Sequence, residues 1–397
     1  MSTNKESTRR LAPGRVKLMF VAFAALLALA VSACGSDDGD SGTTDEVAAT
    51  DATTGDGTEV EAASPQDPAS WCGDEPITLG IYDGGGLNSW SAESKKQVEQ
   101  EAAKCDAIED TIVVDAGFDP QVGVSGLQGM IAQGANAIVL IPDAGVCAEL
   151  PQMKQATSRG IAVVPWAADP CGTAPEDFQT YVDWDVVEAG RGWAEWTAEQ
   201  LDGKGNILYL GGPAGNPVDA GQVEGMYEVL EDYPDINVLE NVTTESWPVT
   251  NWDPAEARKV TAALLAKNPQ IDAIISSFGT TTTGAIKAFQ AEGRAIPSIA
   301  TIAENELSCI FDEAAGTPDE FQLATYSNRN WLGRIAVRKA VAGVNGIEEP
   351  GKDIVALPLF EDSTNPDLQP ICDPSQPPDA YLSNQLPAEE LEAIVYE

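Results

Sequence analysis

The chain of 397 residues contains no histidine. That single absence removes Ser–His–Asp triads, Cys–His dyads and histidine-containing metal sites together. Basic residues are scarce as well: 22 Lys and Arg stand against 63 Asp and Glu, a formal net charge of −41. So acidic a chain repels nucleic acid and anionic membrane surfaces and disfavours a strongly anionic ligand. None of the seven cysteines belongs to a CxxC pair, which leaves zinc and dithiol redox chemistry without support. The glycine-rich stretch "YDGGGLNSWSAESKKQ" at 82–97 lacks the lysine and hydroxyl of G-x-x-x-x-G-K-[ST]. Its three glycines are not spaced as G-x-G-x-x-G either, so it is no phosphate cradle. No cofactor and no metal is expected.

What is present begins with an export signal. Lys5, Arg9, Arg10, Arg15 and Lys17 precede an apolar run from Leu18 to Val31, too short for a convincing membrane span. Residues 1–33 read as a signal peptide ending in Val31-Ser32-Ala33 before Cys34. Small residues ahead of a single cysteine resemble a bacterial lipobox. That resemblance implies cleavage before Cys34, a lipid on its thiol, and anchoring at the outer face of the cytoplasmic membrane. Residues 34–70 contain no Lys or Arg and almost no large apolar side chain, so they are expected to form an acidic disordered tether. The remainder, about 325 residues, is too long for one comfortable core and suits two lobes.

With Cys34 acylated, Cys72, Cys105, Cys147, Cys171, Cys309 and Cys372 form an even set in an exported protein, which points to disulfides. Of the 15 connectivities six cysteines allow, Cys72–Cys105, Cys147–Cys171 and Cys309–Cys372 is the expected one. Its first two pairs link the start of a βα unit to the end of its helix.

From residue 76 short Val/Ile-rich runs alternate with helical patterns. The runs at 77–82, 111–115, 137–141, 161–166 and 180–184 make one series, and those at 206–211, 236–240, 272–276 and 298–302 make a second. This predicts an α/β chain of two doubly wound parallel-sheet lobes. Such sheets bind ligands at the carboxyl ends of their strands. The loops there carry Trp90, Trp166, Trp184 and Trp252 with Asp143, Asp169, Asp183, Asp185, Asn88 and Asn216, and no lysine. An indole covers the C–H face of a sugar at little entropic cost. A carboxylate accepts from neighbouring hydroxyls, and an amide both donates and accepts. Taken singly, Asp143 and Asp253 also suit helix N-caps, and Trp193 and Trp196 fall within a helix and read as packing.

At this point residues from about 76 to 355 resemble the type I periplasmic binding proteins of the sugar class, the ribose- and glucose/galactose-binding proteins of ABC importers. "LNSW" is similar to the family's Asn-x-aromatic stretch, which places Asn88 and Trp90 at the ligand. "LIPDAG" places Asp143, and "NWDPAEARKV" resembles the stretch whose tryptophan stacks on the sugar, pointing to Trp252. "GGPAGNPVDAGQVEGM" implicates Asn216, Asp219 and Gln222, and "ATYSNRNWLG" implicates Asn328. Trp166, at the end of its strand, completes the expected ligand set. The resemblance implies three lobe crossings, near Asp183, Trp184 and Asp185, near Asn328, and near residue 354. Lobe 1 is then 71–183 with 329–354, and lobe 2 is 184–328 with 355–397. Where the family often carries arginines beside Asp143 and Gln222 and an aspartate near Gly279, this chain has Ala144, Gln222 and Phe278-Gly279.

The expected function is capture of a neutral sugar or polyol by a monomer that closes its lobes and presents them to an ABC importer permease. No enzymatic activity and no nucleic-acid partner is expected. The same fold with Trp and Asp also suits an organic cation or a ligand sensor for a signalling receptor. A glycosidase using two of Asp143, Asp169, Asp183 and Asp185 is a further alternative.

Overall fold

The computed structural model describes residues 66–86, 89–349, 351–384, 386–387, 391 and 394. The signal peptide, Cys34, nearly all of the tether and Asn88 lie outside the described residues. Order already begins before residue 71, which corrects the tether's expected end. Asp67 caps a 3-10 turn at Pro68–Ser70, and this turn leads into the fully buried Trp71 and the disulfide at Cys72.

The first sheet is built from β1 (Ile77–Asp83), β2 (Ile108–Asp115), β3 (Ala137–Ile141) and β4 (Ala162–Pro165). They run parallel in the order β2-β1-β3-β4. Helices α1 (Ser89–Ala102), α2 (Pro120–Gln133) and α3 (Leu150–Thr157) connect them. The continuous apolar run of β3 is buried at every position, as a sheet covered on both faces demands. The fifth run expected in this half shrinks to β5, Asp183–Trp184. Val182 makes only an isolated bridge to Trp166, because the chain leaves this sheet there.

The second sheet takes β6 (Lys204–Leu210), β7 (Asp235–Val238), β8 (Ala273–Ser276), β9 (Ser298–Ile302) and β10 (Leu323–Tyr326). Its helices are α4 (Val186–Gln200), α5 (Pro217–Leu230), α6 (Pro254–Lys267), α7 (Gly279–Ala291) and α8 (Asn305–Ala314). After β10, α9 (Leu332–Asn345) returns to pack against α1, β3 and β4. Then β11 (Ile354–Val355) pairs in parallel with β5, and β12 (Leu359–Asp362) joins the second sheet antiparallel to β10. The order is β12-β10-β9-β8-β6-β7. The chain therefore passes between the two sheets at β5, between β10 and α9, and at β11.

Local chemistry explains the helix starts. Asp119, Asp185, Asn216 and Asp253 each accept main-chain N–H bonds in the first turn of α2, α4, α5 and α6, and Pro occupies the first helical position in three of these four. Trp193 is buried against Tyr326, and Trp196 donates to Asp362 (3.1 Å), so both are packing residues. The three disulfides are Cys72–Cys105, Cys147–Cys171 and Cys309–Cys372, the expected set. No described helix is long and apolar enough to cross a membrane.

Candidate functional site

The carboxyl ends of the strands in both sheets carry the tryptophans and carboxylates. After β1, Asp83 accepts from the main-chain N–H of Gly85 (2.9 Å) and Gly86 (3.0 Å), which folds the loop back on itself. A side chain at Gly84 would put its Cβ 2.4 Å from the backbone nitrogens of Asp143 and Ala144. The glycine is therefore what lets the β1 and β3 loops touch. Gly86 adopts φ +70°, open to glycine at no steric cost. The loop then delivers Trp90 in the first turn of α1, its ring 6.0 Å from that of Trp166.

Between Trp90 and Trp184 lies Arg329. Its guanidinium carbon stands 5.1 Å from the Trp90 ring and 5.4 Å from the Trp184 ring, a double cation–π arrangement. Its Nε is buried with no hydrogen-bond partner among the described residues. Burial pulls the guanidinium below its ordinary range, while Asp183 and Asp143 pull it back up. Around it the carboxylates respond to the same surroundings. Burial raises Asp183 to about 6, with the Tyr181 hydroxyl, the Trp184 amide and Arg329 all working the other way. Desolvation by its surroundings raises Asp143, whose own surface stays exposed, to about 6, against the pull of Arg329 and with Asp83 and Glu149 adding to the rise.

On the other side, Trp252 follows Asn251 in the left-handed region, φ 56° and 54° respectively. Two successive non-glycine residues there are strained, a condition that surrounding structure must hold in place. Trp252 Nε1 donates to Ser277 (3.0 Å), and its carbonyl accepts from the Thr280 hydroxyl (3.2 Å). Its half-buried ring lies so close over Gly212 that a Cβ there would meet it at 2.2 Å. Trp252, Phe278 and Tyr381 then form an aromatic row with ring separations of 6.3 and 5.8 Å.

Several expected ligand residues are otherwise engaged. Asn216 spends its side-chain oxygen capping α5. Asp219 is fully buried and accepts from the Gly212 amide, the Tyr209 hydroxyl and the Ser277 hydroxyl, which holds the β6 and β8 loops together. Burial raises it to about 6. Gln222, also fully buried, lies 3.0 Å from the same Tyr209 hydroxyl. Gln222 Nε2 is buried with no hydrogen-bond partner among the described residues. Asn328 is buried too: its amide and side-chain nitrogen donate to Ser383, and its oxygen accepts from Asn330. Asp183 and Trp184 lie in β5 as expected of crossing residues, whereas Asp185 caps α4.

Two residues with free polar atoms were absent from the expected set. Arg329 adjoins Asn328 in the same quoted motif. Glu304 follows β9 directly, and a carboxylate just past a buried strand was the available signal. Glu304 is 2% exposed, its Oε2 has no partner among the described residues, and burial, with Glu306 and Asp379 nearby, pushes it well above the carboxylate range. Unpartnered buried donors (Trp90 Nε1, Trp184 Nε1, Arg329 Nε) thus stand with unpartnered buried acceptors (Asp183 Oδ1, Glu304 Oε2) at these strand ends. Such a set, bordered by indole faces, can receive groups that donate and accept at once.

Comparison with known proteins gives a consistent picture. A family model described as the periplasmic binding protein domain matches residues 84–342. A xylitol-binding protein of Mycolicibacterium smegmatis is 31% identical over 241 residues, covering 60% of this chain and 64% of that protein, somewhat under two thirds of its length. A D-xylose-binding periplasmic protein of Escherichia coli is 29% identical over 264 residues, 65% of this chain and 76% of that one. Among solved structures, the periplasmic binding protein component of the arabinose ABC transporter from Shewanella sp. ANA-3 superposes with a TM-score of 0.60 at 21% identity. It covers 70% of this chain and 89% of its own, a likeness of fold.

Proposed function

The chain belongs to the periplasmic binding protein domain family, and from that premise we propose that it captures a sugar or polyol between two closing lobes for an ABC importer. The observation that carries this reading is the mixed set of unpartnered donors and acceptors beside the indoles of Trp90 and Trp184. A polyol hydroxyl satisfies both kinds, and its C–H face suits an indole. The xylitol- and D-xylose-binding relatives support the same class.

In this reading lobe 1 comprises 71–183 with 329–354, and lobe 2 comprises 184–328 with 355–397. They close as rigid bodies about the three crossings and present the closed surface to a permease. Cys34 carries the lipid that holds a monomer at the outer face of the cytoplasmic membrane, with the acidic segment that follows it as the tether. The ligand contacts are Trp90, Trp166, Asp143, Trp252, Arg329 and Glu304, joined by Asn88. The site holds the ligand and performs no chemistry on it.

An organic cation is the second candidate ligand, because indoles and carboxylates cluster here. Arg329 argues against it, since the position between Trp90 and Trp184 already holds a cation. Calorimetric titration of ligand-free protein with xylitol, D-xylose, myo-inositol and choline separates the two. Saturable binding of a neutral polyol or sugar is expected. Binding of choline alone would overturn the assignment.

A further inference from the structure

The residues after β12 take a path that neither the alternating α/β pattern nor the ligand-binding role requires. β12 starts at Leu359 beside Tyr326, the ligand end of β10, and runs away from it, so that Asp362 pairs with Ala324. The chain then turns and climbs back along α8. Ile371 donates its main-chain N–H to the buried Glu361 (2.8 Å), and Cys372 is bonded to Cys309 on α8. Asn305, the first residue of α8, donates from its side chain to the carbonyls of Asp373 (2.9 Å) and Pro377 (3.0 Å). Its main-chain N–H and that of Glu306 meet the carbonyls of Ala380 (2.9 Å) and Pro378 (2.7 Å). The segment is thereby laid along lobe 2 up to the end of α8 that follows β9.

Beyond that point it crosses to the other lobe. Tyr381, 1% exposed, stacks near Phe278 of lobe 2 but donates its main-chain N–H to Glu93 on α1 (3.0 Å). Its phenol hydrogen-bonds with Ser89, the first residue of α1. Asn384 donates to the other oxygen of Glu93 (3.0 Å), which also accepts from Asn330 in the crossing (2.9 Å). Ser383 holds Asn328 through two further bonds. Glu93 itself is fully buried. A buried carboxylate that loses its donors is strongly disfavoured. Separation of the lobes at this end therefore takes from Glu93 the donors that Tyr381 and Asn384 supply.

We propose that residues 372–384 form a strap, pinned to lobe 2 by Cys309–Cys372, that grips Glu93 of lobe 1 and limits how far the ligand-free cleft opens. Its contacts to lobe 1 are hydrogen bonds to Glu93 and Ser89, which can break and re-form. Its anchorage on lobe 2 is covalent. The asymmetry makes the strap travel with lobe 2 and release from lobe 1. It also brings Tyr381 to the aromatic row of the cleft, so that the same side chain that bridges the lobes borders the ligand site.

The test uses the full chain without ligand. Fluorescent donor and acceptor dyes, carried by unnatural amino acids at the exposed positions Gln133 on α2 and Lys259 on α6, report lobe separation by single-molecule energy transfer. Wild type is expected to give one narrow, high-transfer population. Glu93→Ala and Tyr381→Ala should each broaden it and shift it to lower transfer. Cys309→Ser/Cys372→Ser, which leaves every lobe 1 contact intact, should do so in part. If both single variants keep near-ultraviolet dichroism and give the wild-type distribution, the strap does not restrain the lobes. If either single variant loses native dichroism, the disulfide variant alone decides, and an unchanged distribution there overturns the proposal. The measurement needs no ligand, so its result is independent of the sugar-binding reading, which the calorimetry tests on its own.

Discussion

Replacing Arg329 with Met probes the site where two lines of structure meet. The side chain stands between two indoles at 5.1 and 5.4 Å, with one nitrogen unpartnered. Each cation–π contact contributes about 0.5–2 kcal/mol. The cost of burying the guanidinium offsets part of that, and methionine retains apolar contact with both rings, so stability should change by no more than about 1 kcal/mol. Binding should suffer more. A charge-assisted hydrogen bond to a ligand hydroxyl contributes about 1.5–3 kcal/mol, roughly a 10- to 150-fold change in Kd. Arg329 also holds down the carboxyls of Asp143 and Asp183, so without it both should take up protons at a higher pH. The acid limb of the affinity profile should then move upward in pH. Arg329→Lys, which keeps the charge and loses the planar stack, should fall between. The assay is calorimetry with xylitol from pH 5 to 8 on all three proteins. Equal affinities and superimposable pH profiles in a natively folded Met variant would show that Arg329 only packs.

Three further outcomes are expected. Gly212→Ala should displace the Trp252 ring, which a Cβ would meet at 2.2 Å; it should therefore reproduce most of the roughly 2–4 kcal/mol binding loss expected for Trp252→Ala, and undiminished xylitol affinity in both would reduce Trp252 to packing. The buried Asp183, raised from 3.8 to about 6, contributes stability that is fully present below pH 4 and lost as pH rises through 6; Asp183→Asn should thus stabilise the protein at pH 7, by at most about 3 kcal/mol, and leave pH 4 unchanged, as urea unfolding at the two pH values would show. Removing Cys72–Cys105, with its sequence separation of 33, should cost about 4 kcal/mol on a chain-entropy basis, and denaturant midpoints equal to wild type would place the constraint elsewhere.

The candidate site was legible to unequal depth. Trp90 and Trp252 stand out in the sequence as bulky aromatics just past a strand; the structure puts Trp90 in the first turn of α1 and Trp252 in the loop before α6. Asn216, Asp219, Gln222 and Asn328 come from the family resemblance, and in the structure their side chains also cap a helix, join two loops or bond to Ser383. A polar side chain at a strand end can cap a helix, join two loops or meet a ligand, and the three uses draw on the same residue types. Arg329 and Glu304 went unassigned because a lone charge carries no sign of which partners it lacks. That is a property of the neighbours, which come from β1, β5, β9 and the C-terminal segment.

The α/β class, the parallel strands and the disulfide-forming character of the six cysteines followed from the chain itself, whereas which cysteine meets which is settled by the fold. Continuous apolar runs, capped helices and an even cysteine set are local patterns, set by backbone hydrogen bonding and burial within a few residues. The absence of histidine bounded the chemistry just as firmly. The tertiary structure alone decided which buried polar atoms remain unpartnered, how Arg329 lies between Trp90 and Trp184, and where the segment after Cys372 goes. These depend on contacts between residues far apart in the chain, such as Asn328 with Ser383, 55 positions apart, and Asn384 with Glu93, 291 positions apart. No periodicity records them, since their energies come from burial and geometry that exist only once both lobes have folded.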